Sequence, residues 1–513
     1  MGIPAPRFRR VAAAFAAALL LSGCRPAPRP DMVAMAWESF PLSLDPRYGQ
    51  DQASQRLLAL THQALLRKDA RLDLRPDACA AWSWERPYTV LRFDFAPEGG
   101  LPFPDGHRLS ASDALDSLQA LRDPAVHSPK AAPFQEEIHE LSLEREGGHD
   151  VLRIALKSPD PGFPANLVRG VLAIAPKGAR GEGLPGTGPY LLRDVIPEQR
   201  ILLTVKRGHP DVAAHAHPQD LELRLMPDAT TRALALRHGT VQLCLSNLPP
   251  DLLRPDPSFR VQRIPGVNQE YLAFQCAHPI LKDPRVRWAL SLAIDRRELV
   301  AGLRGGMARE AWSFYPPELA AGVDAARELD LPADPRARRA RAEALLDDAG
   351  FPRRADGLRF RLRLSSSLDA EARMKALALQ DQWARIGVGL EVRTREFGTL
   401  LGEVAQGRFE VVSLRWVGVT DPDMLDRTFR SDRRPPDGFN RGAFADAEAD
   451  ALLGQARSAD PAGRLALLKR AQVRLVTQAP YAMLWWPDQV AALAPGVDLD
   501  LDGAGEFSVV WRD

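Results

Sequence analysis

Cysteine is scarce: the chain has four in 513 residues, and no two stand in a C-x-x-C spacing. A structural zinc or a dithiol redox centre needs clustered thiols, so neither is expected. An excess of one charge is missing as well, since 67 Lys and Arg face 66 Asp and Glu. A net charge of +1 gives no reason to expect a polyanion-binding surface, and nucleic acid is not an expected partner. No G-x-S-x-G elbow occurs, and nothing in the sequence argues for a serine–histidine dyad at Ser39, Ser110 or Ser366. A carboxylate pair facing across a cleft leaves no mark in linear spacing, but Asp421 and Asp423 read as members of a solvated turn. No catalytic residue, cofactor or resident metal is assigned, and an enzyme is not the expected class.

Long apolar runs are lacking too. Val11–Leu21 is too short to span a bilayer, and with Arg7, Arg9 and Arg10 before it residues 1–24 read as a removable leader. Leu21-Ser22-Gly23-Cys24 looks like a bacterial lipobox, so Cys24 is the expected lipidation site. The Pro-rich stretch from Arg25 to Pro30 reads as a short stiff tether. The mature chain is therefore expected to be exported and held to a membrane by lipid. Cys79, Cys244 and Cys276 remain, and all three are expected to be free thiols buried as small apolar side chains.

A chain of 513 residues exceeds the size at which single cores stop growing, so two or three lobes are expected. The most informative stretch is Leu281–Val300. Asp283 can cap a helix with Pro284 at its first position, and Val286, Ala289, Leu290 and Ala293 make one apolar stripe. Asp295 and Glu298 repeat the start signal, and Gly302 is the expected stop of a second short helix. Phe103-Pro104-Asp105-Gly106 is a turn ahead of a helix capped at Ser110 or Ser112, a structural role for Asp105 and Asp113. Gly186-Thr187-Gly188-Pro189-Tyr190 is followed by a hairpin rather than a helix, so a phosphate cradle fails on context. Leu221–Met226, Asp228–His238 and Val241–Leu245 read as a βαβ unit. Beyond residue 334 strands and helices alternate, which predicts a second α/β lobe with a mostly parallel sheet. His209, His215 and His217 lie close together, but in a Pro-flanked polar loop they read as solvated surface rather than metal ligands.

Taken as letters, the Leu281–Val300 stretch, the FPDG…LSASDA turn, GTGPY, the LDP opening at 44–46 and the helix from Asp334 to Gly350 occur in the order of one family. They resemble the family 5 extracellular solute-binding proteins, the dipeptide, oligopeptide and nickel receptors of ABC importers. The resemblance covers residues 35–490. It implies a periplasmic-binding-protein-like α/β fold with two lobes that close on a ligand and a third lobe inserted. The expected boundaries are 25–50, 178–270 and 489–513 for the first clamp lobe, 51–177 for the insertion and 271–488 for the second. The implied partners are a small-molecule or peptide ligand and the permease subunits of an ABC importer, with the protein itself a monomer. The alternative is a surface solute sensor or interaction protein with the same fold and no transport.

The ligand is expected near Arg415-Trp416 and the loop Val417–Asp423, an aromatic and a polar loop at a strand's carboxyl end. Tyr271, Asn440, Glu38 and Phe40 complete the expected contacts. The resemblance implies an Asp three residues past the Trp, where peptide receptors pair with the α-ammonium group. Here that position is Val419, with Asp421 and Asp423 further along. Either Asp421 takes the role, or the ligand carries no free amine there.

Overall fold

The computed structural model describes residues 32–512 apart from 70–71, 246–247, 249–252, 254–255, 418–421 and 436–437. Cys24 and the lipobox, and Val419 and Asp421, lie outside the described residues. Among the described residues no helix is long and apolar enough to cross a membrane.

Two large sheets organise the molecule. The first has seven strands, in the order Arg260–Ile264, Gln489–Leu493, Leu243–Leu245, Met32–Trp37, Asp220–Leu225, Arg200–Val205 and Tyr190–Ile196. Met32–Trp37 lies between Asp220–Leu225 and Leu243–Leu245 and is parallel to both, so the predicted βαβ unit straddles the first strand of the chain. The second sheet has six strands, in the order Ala308–Glu310, Tyr481–Pro487, Gln269–Phe274, Val411–Trp416, Phe360–Ser367 and Val388–Arg395. This sheet is mixed, not mostly parallel: only the pairs made by Phe360–Ser367 are parallel. The cause is topological. Gln269–Phe274 leaves the first sheet and Tyr481–Pro487 returns to it, so the two neighbours run in opposite directions.

A four-stranded antiparallel sheet, Ala81–Arg86, Val90–Asp94, His149–Leu156 and Ile138–Glu146, packs under the helix Ala111–Arg122 with its own apolar core. Asp113 in that helix is buried and accepts from the backbone of Ser110 (2.8 Å) and Lys177 (2.8 Å), a structural carboxylate.

The landmark stretch shows how the sequence makes its packing. Asp283 caps the helix Pro284–Leu292 through the Arg285 N–H (2.8 Å), and Val286, Ala289 and Leu290 are fully buried. Asp295 caps the next helix, which runs to Arg304 and stops at Gly305, not at Gly302. Gly305 takes the left-handed φ of 56° that a terminating residue needs, whereas Gly302 sits inside the helix. The two arginines of the motif are internal ties. Arg287 donates to the carbonyls of Gln478 (2.6 Å) and Leu281 (2.7 Å). Arg296, fully buried, donates to Met483 (2.7 Å), Ala311 (2.9 Å) and Ser291 (2.9 Å), with its guanidinium 3.6 Å over the Trp312 ring. Burial brings the Arg296 guanidinium down to about 9.

GTGPY is likewise a packing motif. A Cβ on Gly186 would lie 2.7 Å from the His62 ring, and one on Gly188 2.6 Å from the His62 nitrogen. Glycine is required there because two backbones meet. Cys79, Cys244 and Cys276 are free thiols, and burial pushes the first two up to about 12.

Candidate functional site

The chain passes between its two large sheets twice, at residues 265–268 and at Asp488. Ile264 ends a strand of the first sheet and Gln269 opens one of the second; Pro487 ends the return strand and Gln489 re-enters the first sheet. The segments run together. Arg263 pairs with Asp488 at 2.5 Å, and Arg309 donates to the Gly266 carbonyl at 3.0 Å. The tip of the hairpin formed by Val497–Leu501 and Phe507–Arg512 rests on them, with the Val267 N–H donating to the Gly503 carbonyl at 3.1 Å. Two α/β units joined by two adjacent extended segments form a hinge, with a cleft between the units.

Beside the hinge the second sheet carries an internal charge network. Glu270 stands opposite Arg415 in the strand register and pairs with its guanidinium. The other oxygen of Glu270 accepts from Lys375 Nζ at 2.6 Å, and that ammonium lies 5.7 Å from the centre of the Trp485 ring. Glu270 and Lys375 side chains are only 3% and 7% exposed, whereas Arg415 is 34% exposed. Burial alone would raise the Glu270 carboxyl; Lys375 and then Arg415 outweigh it and hold the carboxyl below its usual range. Glu371 lies 3.6 Å from Arg415 and 3.2 Å from Arg304. Glu270 and Lys375 thus position a half-exposed guanidinium at the strand's carboxyl end, able to donate to a ligand oxygen. Glu270, a carboxylate followed in the same strand by Tyr271, Leu272, Ala273 and Phe274, is the sequence signal for this network.

Trp416, next along the strand, is half-buried. Its ring stacks near Tyr271 (6.1 Å, 15°) and meets Phe439 edge-on (5.4 Å, 66°), and the Arg441 guanidinium lies 5.4 Å from its centre. Tyr271 is buried, stacked on Tyr481 at 4.4 Å, so it backs the site instead of facing it. Asp423 is buried and pairs with Arg464. Asn440 is buried and bridges Phe444 N (2.9 Å), the Phe444 carbonyl (2.8 Å) and the Arg430 carbonyl (2.9 Å). Both side chains are thus engaged within the second unit. Glu38, on the first unit at the end of Met32–Trp37, lies 3.9 Å from Arg232, and Phe40 packs on the first sheet's core. The structure therefore groups Arg415 and Trp416 with Tyr271 behind them, and sets Glu38 and Phe40 on the other unit. His209 and His215 have structural work: His209 Nδ1 accepts the Asp211 N–H (3.1 Å), and His215 stacks on Trp511 at 3.9 Å.

The cleft contains a cavity of about 170 Å³ between the small hairpin Leu66–Lys68/Leu74–Pro76, the segment 161–165, and residues 315–321 with Pro422 of the second unit. The insertion touches the second unit close by, where Arg427 donates to Asp160 at 3.4 Å and lies 3.7 Å from Glu137. Burial, then Asp160, pushes the Glu137 carboxyl above its usual range. A recess lined mostly by apolar residues suits a small organic ligand.

Known proteins give the same picture. The sequence profile described as bacterial extracellular solute-binding proteins, family 5 middle, matches residues 73–434. The probable di/tripeptide-binding protein 5 of Pseudomonas aeruginosa strain UCBPP-PA14 is 29% identical over 443 residues, covering 80% of this chain and 81% of that one. The probable deoxycholate-binding periplasmic protein YgiS of Escherichia coli K12 is 28% identical over 486 residues, covering 90% and 88%. The solved structure of the periplasmic murein tripeptide binding protein MppA, unliganded open form, matches with a TM-score of 0.80 at 20% identity, covering 94% of this chain and 98% of that one. HbpA2 from Haemophilus parasuis matches with a TM-score of 0.79 at 19% identity, covering 94% and 100%. At such identities the structural likeness fixes the fold, that of the periplasmic binding proteins, and the profile match over most of the chain fixes the family. The chain belongs to the bacterial extracellular solute-binding proteins, family 5.

Proposed function

We propose that this protein is the substrate-binding component of an ABC importer, capturing a small peptide or peptide-like solute in the cleft and delivering it to the permease. The observation that carries the reading is the double crossing at 265–268 and 488, which lets two α/β units close on what lies between them. Family membership and the relatives named as di/tripeptide-binding proteins support it. The clamp lobes are drawn at those crossings: one lobe carries the seven-stranded sheet, the other the six-stranded sheet, and the insertion rides on the first. The mechanism is a shift of an open–closed equilibrium by a ligand that contacts both lobes. Arg415 and Trp416 are the proposed contacts on the second lobe, with Glu38 and Phe40 on the first.

The sequence puts Val419 where the resemblance implies the ammonium-binding carboxylate, and Asp423 is committed to Arg464. An unpaired ammonium buried in a closed cleft costs several kcal/mol, more than a hundredfold in affinity. The proposed solute therefore has a blocked or absent amino group at that end. Lipid anchoring through Cys24 is part of the same reading; Cys24→Ser would release the protein from membranes. The test of ligand class is calorimetry with di- to pentapeptides, free and N-acetylated. The reading expects binding that survives acetylation. Micromolar binding of free peptides only, lost on acetylation and in Asp421→Ala, would contradict the blocked-end assignment.

A further inference from the structure

The cavity of about 170 Å³ in the cleft has a chemistry of its own. Two other cavities, beside Arg47 and beside Tyr481, hold about 20 and 10 Å³, room for about one water each. The cleft cavity is of a different order. A protein cavity of about 150 Å³ walled by apolar side chains stays dry and accepts a benzene-sized molecule. Here Leu72, Leu74 and Ala165 contribute from the insertion side, and Leu319, Ala321 and Pro422 from the second lobe. Its lining also includes one charged residue of each sign, Lys68 and Asp73.

Two further features set it apart from a packing fault. Its walls come from both sides of the cleft, and Pro422 stands next to Asp423, at the end of the loop after Trp416. Leu72, a buried wall residue, has a φ of 66°, a left-handed conformation that a leucine adopts at a cost.

We infer that this cavity is a specificity subsite for one large uncharged apolar side chain of the solute, of the size of leucine or phenylalanine. The inference rests on the peptide-binding reading above and narrows its substrate class. Burying such a side chain against the apolar wall is worth about ten- to a hundredfold in affinity over alanine.

The test is calorimetry on the full mature protein with N-acetylated and free tripeptides built on alanine, with leucine, phenylalanine, lysine or glutamate placed at each position in turn. Wild type is expected to prefer phenylalanine or leucine at one position by about tenfold or more over alanine, lysine and glutamate. Ala165 is only partly buried and Ala320 is exposed, so Ala165→Phe and Ala320→Trp fill the recess from opposite sides with little risk to folding. In each, the ratio of phenylalanine to alanine affinities is expected to fall close to one. Peptides that bind with no apolar preference, or a preference that persists in both filled variants, would overturn the subsite and leave the peptide reading standing. Failure of every peptide to bind wild type would overturn the peptide reading and the subsite with it.

Discussion

Gly266 and Pro487 stand on the two hinge segments with no room for a side chain between them: a Cβ on Gly266 would run into the Pro487 carbonyl oxygen. The lobes are therefore joined by two backbones in direct contact, braced by Arg263 on Asp488 and by Arg309 on the Gly266 carbonyl.

Gly266→Ala forces these backbones apart. Overpacking of this kind costs about 1–3 kcal/mol, and because it falls on the hinge it should also weaken ligand binding. Gly302→Ala is the control: it lies inside the helix Arg296–Arg304 with open space around its Cβ position. That change should stabilise by about 0.5–1 kcal/mol and leave binding alone. Denaturant unfolding and calorimetry on both variants check the pair. Equal stability of Gly266→Ala and wild type would contradict the tight hinge.

The second prediction concerns Glu270. Replacing it with Gln strips the buried Lys375 of the carboxylate it pairs with and releases Arg415 from its tether. Leaving a buried charge unpaired costs about 3–5 kcal/mol. Lys375→Met in the Glu270→Gln background should cost less than the sum of the two single changes, by about 0.5–3 kcal/mol. A strictly additive double-mutant cycle would show that the two groups do not interact.

Acid sensitivity follows from His62. Burial, then the charge on Lys130, lowers its ring to about 4 from the ordinary 6.5. Between those values the unfolded chain binds a proton that the folded protein excludes, so stability rises with pH across the window and is lost as pH falls from 6.5 towards 4. At 1.36 kcal/mol per pH unit the contribution is about 3 kcal/mol at neutral pH. The His62→Asn variant should show a shallower loss of unfolding free energy between pH 6.5 and 4. An unchanged pH slope would assign the acid response to other groups.

How much was legible depended on whether the physics was local. Caps at Asp283 and Asp295, the helix start at Asp334, and the hairpin after GTGPY are written in a few adjacent residues, and the structure has all of them. The helix stop expected at Gly302 falls at Gly305, because nearby glycines carry the same letter and only φ distinguishes them. The mixed second sheet departs from the expected parallel one for a non-local reason: the opposite directions of Gln269–Phe274 and Tyr481–Pro487 are fixed by where the chain enters and leaves the hinge. The site divides the same way. Trp416 and Arg415 were visible as the end of an apolar strand. The commitment of Asn440 to Phe444, of Asp423 to Arg464, and of Lys375 to Glu270, 105 positions away, depends on folded proximity that no spacing encodes.

The central claim is that two lobes close about the hinge on a bound solute. Small-angle X-ray scattering of the full mature protein tests it most directly, with and without a peptide shown by calorimetry to bind. The account predicts a smaller radius of gyration on saturation, a response that Gly266→Ala reduces. Saturation with ligand at an unchanged radius of gyration would contradict closure and leave the cleft a static binding groove.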